Sequence, residues 1–141
     1  IVEYLAGKHD CNVAAGDAIK AGQFGYNLAD IWRETYESRR DGVDTYLTDR
    51  FPRWLDIMEN SFQDDKDWFF SNASPTWIDY LALNIVTLAR YCWGEPAEQM
   101  MGGHLKLTEW TNRMMERPRL KAYFENKSSL PVGYEEIRAA S

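Results

Sequence analysis

The amino-acid sequence predicts an all-α fold, a bundle of helices around one buried central helix. Apolar residues recur at three- and four-residue steps along most of the chain, which is the period of an amphipathic helix. One segment in the second half is apolar on nearly all sides, as expected for a helix that other helices surround. No segment shows the two-residue alternation that is typical of a half-buried strand.

The composition is that of an ordinary globular domain and excludes several function classes. The 141 residues suffice for one domain with a core. The net charge is −6 and basic residues alternate with acidic ones, so nucleic acid is not an expected partner, because phosphate binding needs clustered Lys and Arg. Cys11 and Cys92 predict reduced thiols in a cytoplasmic protein. No apolar run approaches the roughly 20 residues of a membrane span, so no membrane partner is expected.

Two helices are expected in the first part of the chain. Residues 1–9 predict a short helix that breaks at Asp10–Asn12, and Asn12 can cap a long second helix that runs to about Arg40. One stripe of that helix begins with small residues that would let another helix approach closely: Ala15, Ala18, Gly22, Gly25, Ala29, Trp32 and Tyr36. Because Gly costs about 1 kcal/mol relative to Ala inside a helix, the glycines indicate a tight contact. A second stripe consists of Phe24, Leu28 and Ile31.

The third predicted helix contains a proline. Asp44 can cap it, and Pro52 is expected to kink it, because Pro lacks the amide donor and clashes with the preceding turn. Its buried stripe is Leu47, Phe51, Trp54/Leu55, Met58 and Phe62. A polar loop at residues 63–66 and an apolar run at residues 68–70 follow.

The segment that predicts the central helix opens with a capping box. Thr76 and Asp79 have the required spacing, so that the Thr hydroxyl bonds the first helical turn and the Asp carboxylate reaches back. The helix should stop at Gly94–Pro96. It carries an almost continuous apolar surface: Leu81, Ala82, Leu83, Ile85, Val86, Leu88, Ala89 and Cys92.

The remaining sequence predicts two more helices. An amphipathic helix with Leu107, Trp110 and Met114 on its buried face ends at Arg117-Pro118. The next helix is expected to turn Leu120, Tyr123 and Phe124 inward. A polar tail, residues 127–141, follows.

Four motifs, in order and with compatible spacing, resemble those of cytosolic glutathione transferases. They are the capping box Thr76–Tyr80, which resembles the sigma-class form, the run Arg117–Tyr123, the Phe51-Pro52 helix with Leu55 and Glu59, and the opening Ile1–His9. The last of these looks like the final helix of the family's thioredoxin-like first domain. The resemblance implies that residues 1–9 end a missing thioredoxin-like N-terminal domain and that residues 10–141 are the glutathione transferase C-terminal helical domain.

The family resemblance also implies a division of chemistry. Glutathione is the expected co-substrate, and the residue that stabilises its thiolate would lie upstream of Ile1, so no catalytic residue is expected in this chain. The chain alone is therefore expected to be inactive. His9 and His104 are far apart in sequence and lack neighbouring ligands, so no metal is expected.

Four residues occupy positions that resemble binding positions in the family. Asp30 would contact glutathione across a homodimer, while Arg33, Leu81 and Ile85 would line the pocket for a small electrophile. Simpler interpretations exist for each residue. Asp30 can be a solvated helix residue, Arg33 can pair with Glu37 four residues on, and the two aliphatic residues can belong to the core.

Two other hypotheses remain open from the sequence. The chain can be a non-catalytic interaction module of the same fold, or an unrelated helical bundle, which the four ordered motifs disfavour. A Gln-Ser pair just upstream of Ile1 and a Tyr near the start of the full protein would favour the enzyme.

Overall fold

The structure, a computed structural model, describes residues 2–41 and 45–126, with side chains from residue 5 onward except those of residues 39–41. Within these residues it contains helices and loops but no strand, so the predicted all-α fold is confirmed. The helices are α1 (Val2–Lys8), α2 (Ala18–Asp41), α3 (Phe51–Asn60), α4 (Trp77–Trp93), α5 (Glu95–Gly102), α6 (Leu105–Met115) and α7 (Pro118–Glu125).

Helix α4 is the central helix that the sequence predicts. Among the described helices, it has its most extensive contact with α2, and it also contacts α1 and α5. Five of its apolar residues are 1% exposed or less: Ile78, Ala82, Ile85, Leu88 and Ala89. Gly94 ends the helix with a φ of 54°, a left-handed conformation that glycine adopts without steric penalty.

The capping box at the start of α4 forms as predicted. Asp79 Oδ2 accepts hydrogen bonds from the backbone N–H of Thr76 (2.8 Å) and from its hydroxyl (3.0 Å). The other carboxylate oxygen accepts from the backbone N–H of Phe69 (3.2 Å) and from Trp110 Nε1 (2.8 Å). Burial raises the pKa of Asp79, and these hydrogen bonds oppose the rise. One carboxylate therefore ties α4 to α6 and to the preceding loop.

Helix α2 begins later than predicted. A 3-10 turn at Ala15–Asp17 precedes it, and Asn12 is exposed and does not cap it. The prediction of an Asn12 cap is therefore wrong. The backbone around Asn12 instead runs beside α4, because the carbonyl of Cys11 accepts a hydrogen bond from the backbone N–H of Trp77 at 2.9 Å.

Of the two glycines of α2, one makes a close contact with the other residues that the structure describes. A Cβ atom on Gly25 would lie 2.7 Å from Trp77 Cη2, whereas one on Gly22 would meet no atom within 4 Å. The buried stripe of α2 is the second one predicted, Phe24, Leu28 and Ile31, extended by Ala21 and Thr35. The rest of the small-residue stripe therefore lies outside the core.

The proline of the third helix follows an irregular turn. Tyr46–Arg50 is wound as a π-helical turn, and Pro52 occupies the first turn of α3. A proline ring clashes with the carbonyl four residues earlier, which here lies in the wider π-helical turn. The predicted buried stripe is confirmed, and Asp44, the predicted cap, lies outside the described residues.

Two features of the second half differ from the prediction. The sequence pattern does not predict α5, which begins directly after Gly94 and has Pro96 in its first turn. In α7, Leu120 and Phe124 are only half-buried and Tyr123 is 40% exposed. Leu120 and Phe124 pack against the core, as predicted, whereas the prediction is wrong for Tyr123. All three side chains line a surface cavity. The predicted tail lies outside the described residues.

Candidate functional site

One face of α4 is open and forms an apolar trough. A cavity of about 360 Å³ separates α4 from α6 and α7. A second, of about 290 Å³, lies between α1 and α4. Tyr80 and Asn84 line both cavities, so the two are adjoining parts of one depression, which we name the α4 trough. Each part is close to the lower end of the volumes that small-molecule sites have.

Helices α1 and α4 enclose the α1 half of the trough. Its walls are Leu5, Ala6, His9, Cys11, Trp77, Tyr80, Leu81 and Asn84. The Cys11 thiol is half-buried and donates to the carbonyl of His9 at 3.5 Å. In the part of the chain that the structure describes, no three His, Cys, Asp or Glu side chains are grouped to hold a metal ion.

The α7 half of the trough is apolar apart from a few engaged polar groups. Its apolar walls include Leu83, Met115, Leu120 and Phe124. Arg90 pairs with Glu98, Nε to Oε1, at 2.6 Å. The Thr87 hydroxyl lies 3.0 Å from a backbone carbonyl of its own helix. Glu98 therefore neutralises the charge of Arg90, and this half of the trough favours an uncharged apolar ligand.

The predicted pocket residues do not meet in one described cavity. Leu81 is half-buried and lines the α1 half of the trough. Ile85, one turn further along α4, is 1% exposed because the core covers it there. Arg33 projects from α2 and lines neither half. Of the three, only Leu81 has the placement that an electrophile pocket requires, and the pocket assignment stays a prediction.

Asp30 and Arg33 contact each other on the surface of α2. Arg33 Nη2 donates to Asp30 Oδ1 at 3.0 Å, and the two side chains are 62% and 56% exposed. The sequence-based pairing of Arg33 with Glu37 is therefore wrong, because the carboxylate three residues earlier is used instead. Residues three and four apart are both neighbours on a helix surface, so spacing alone could not decide which carboxylate Arg33 contacts.

Glu34 forms a polar cluster near this surface that the sequence did not predict. Its carboxylate accepts two hydrogen bonds from Arg50, at 2.7 and 3.2 Å, and one from Trp54 Nε1 at 2.8 Å. Burial raises the pKa of Glu34, but the hydrogen bonds and the positive charges of Arg50 and Arg33 outweigh it, so the pKa is lowered. The partners lie 16 and 20 residues away, and no local pattern signals them.

The outer face of α2 carries unusually exposed apolar side chains. Ile19 and Tyr26 are 79% and 80% exposed, and Asp30 and Arg33 follow on the same side of the helix. On a neighbouring side of the helix, Trp32 and Tyr36 stack at 5.4 Å with an interplanar angle of 6°. Exposed apolar side chains on one face are typical of a surface that another molecule covers.

Comparison with known proteins identifies the fold. A family model described as "Glutathione S-transferase, C-terminal domain" matches residues 26–127, which is more than two thirds of the chain. No curated protein matches the chain. None of the described helices has the length and hydropathy that crossing a membrane requires. The family match and the helical architecture together show that the chain belongs to the glutathione S-transferase C-terminal domain family.

Proposed function

We propose that this chain is the helical domain of a glutathione transferase that conjugates glutathione to small electrophiles. Membership in the C-terminal domain family supports a glutathione transferase-like parent. The observation that carries the proposal is the α4 trough, an open apolar depression flanked by α1 and α7. A trough of this kind suits the binding of an uncharged organic electrophile.

The proposed chemistry assigns different tasks to two domains. In a preceding thioredoxin-like domain, a residue stabilises the glutathione thiolate. The thiolate sulfur forms a bond to the electrophilic carbon. The electron pair of the bond that breaks leaves with the displaced group or moves to a neighbouring atom. This chain binds the electrophile and excludes water, and it transfers no proton. We place the electrophile in the α1 half of the trough, against Leu81 and Trp77, because α1 resembles the last helix of that preceding domain.

The proposal includes a homodimer. The exposed Ile19 and Tyr26 supply an apolar surface that a second copy of the chain would cover. Asp30 lies on the same side of α2, so its carboxylate would meet the ammonium group of glutathione in the neighbouring subunit. Partial shelter at such a boundary makes the pair stronger than an exposed one.

The test uses the full-length protein and an uncharged aromatic halide as electrophile. We expect Leu81→Ala to raise KM for the electrophile about fivefold, equivalent to about 1 kcal/mol, because apolar contact is lost. KM for glutathione should not change. Leu105→Ala is the matched control, since Leu105 is 59% exposed on α6 and lines neither half of the trough.

Two outcomes would contradict the proposal. A full-length protein that turns over no electrophile would favour the non-catalytic interaction module of the same fold. Equal effects of both Leu substitutions on KM would remove the trough from the electrophile site.

A further inference from the structure

The carboxylate of Asp30 is already engaged by a cation of its own helix. Arg33 Nη2 donates to Asp30 Oδ1 at 3.0 Å. In the proposed function the same carboxylate receives the glutathione ammonium, so the two cations compete. We infer that Arg33 is a removable counter-ion that sets the affinity of Asp30 for glutathione, an inference that rests on the proposed function.

The pair is weak enough to be exchanged. Both side chains are more than half exposed, and such ion pairs contribute little because solvent screens them and both side chains lose freedom. A glutathione ammonium in a sheltered subunit boundary replaces it with a better-desolvated contact. Arg33 and the ammonium therefore compete for the same negative charge, and the Arg33 pair lowers the glutathione affinity of Asp30.

The surrounding charges decide where Arg33 goes. Glu34 is adjacent, but its carboxylate already accepts from Arg50 and Trp54 and remains tied to α3. Glu37 is exposed and lies four residues on from Arg33, at the spacing of a helix-surface ion pair. In this inference, Glu37 is the carboxylate that receives Arg33 when the ammonium displaces it from Asp30.

The experiment measures glutathione affinity of the full-length dimer by titration calorimetry at low ionic strength. Arg33→Gln should lower the glutathione Kd about two- to fivefold, the range that an exposed pair allows. The gain should vanish in the Asp30→Asn background, where no carboxylate is left to release. It should also vanish with a glutathione analogue that lacks the α-amino group. Arg53→Gln is the matched control, because Arg53 forms an equally exposed pair with Asp49 at 2.6 Å on another helix; it should leave the Kd unchanged.

The outcomes separate this inference from the proposed function. If Arg33→Gln leaves the Kd unchanged or raises it while Asp30→Asn weakens binding, the counter-ion role is wrong and the Asp30 contact stands. If the gain persists in the Asp30→Asn background or with the analogue, Arg33 acts through general charge and the inference is wrong. If Asp30→Asn alone does not weaken binding, the proposed contact fails first and the counter-ion role fails with it.

Discussion

Replacement of Asp79 should destabilise the fold more than the loss of an ordinary helix cap. Its carboxylate is 0% exposed and accepts four hydrogen bonds, two from Thr76, one from Phe69 and one from Trp110. Asp79→Ala leaves these donors buried without an acceptor. Each donor that water does not reach lowers the stability by about 1–3 kcal/mol. Part of that loss is offset, because the substitution also removes a carboxylate whose charged form is disfavoured by burial, the cause of its raised pKa. We expect a net loss of about 3–4 kcal/mol in the free energy of unfolding.

Thr76→Ala provides the comparison. It removes the hydroxyl donor to Asp79 but keeps the backbone N–H bond and the two bonds from distant residues. The expected loss is about 1 kcal/mol, as for an ordinary cap. The double substitution should cost less than the sum, because the hydroxyl has no partner once the carboxylate is gone.

Urea denaturation followed by tryptophan fluorescence measures these differences. The chain has six tryptophans, among them Trp110, which donates directly to Asp79, so the fluorescence follows the unfolding of the domain. The m-value should stay constant across the variants, so that midpoints report stability. If Asp79→Ala cost no more than Thr76→Ala, the bonds to Phe69 and Trp110 would contribute nothing and the carboxylate would be a local cap only.

Four further predictions follow from the same structure and from the proposed function. The chain by itself should show no measurable glutathione conjugation, and family-level turnover with an aromatic electrophile would contradict the division of labour. In the full-length protein, Asp30→Asn should raise the glutathione Kd about tenfold, equivalent to 1–2 kcal/mol, by calorimetry; a monomer in sedimentation would contradict the cross-subunit contact. Since the pKa of Glu34 is lowered from 4.5, its stabilisation is present above the unfolded-state pKa and lost as pH falls through the folded-state pKa. Denaturation midpoints of Glu34→Gln should therefore depend less on pH in the acid range, and identical slopes would remove the Glu34 cluster from acid stability. Gly25→Ala should lower the stability by about 1–3 kcal/mol, because its Cβ would lie 2.7 Å from Trp77, whereas Gly22→Ala meets no neighbour and should gain up to about 1 kcal/mol in calorimetric scans. Equal effects of both would disprove the close contact.

The parts of the fold that sequence predicts correctly are those decided by near neighbours. The spacing of Thr76 and Asp79 predicts the start of α4, Gly94 its end, and the apolar surface between them its central position. Helical period and capping act within one or two turns, so they are readable from residues three or four apart. The same holds for the buried stripe of α3.

Interactions between distant segments decided the features of the fold that the sequence did not predict. The sequence pattern placed a helix cap at Asn12, whereas α2 begins at Ala18 and the backbone at Cys11 is hydrogen-bonded to Trp77. Tyr123 shares the helical period of Leu120 and Phe124 in α7, but the period alone does not say that Tyr123 stays exposed while the other two pack against the core.

The candidate site shows the same division. The sequence by itself determined the helices that carry Asp30 and Leu81, and the family resemblance marked both positions. Only the tertiary structure decided that Leu81 borders an open trough while Ile85 is enclosed. A helical pattern fixes the direction of a side chain relative to its own axis, whereas exposure depends on which other helices pack against that side. For the same reason Asp79 was predicted as a cap, and only the packed fold added Phe69 and Trp110 to its carboxylate.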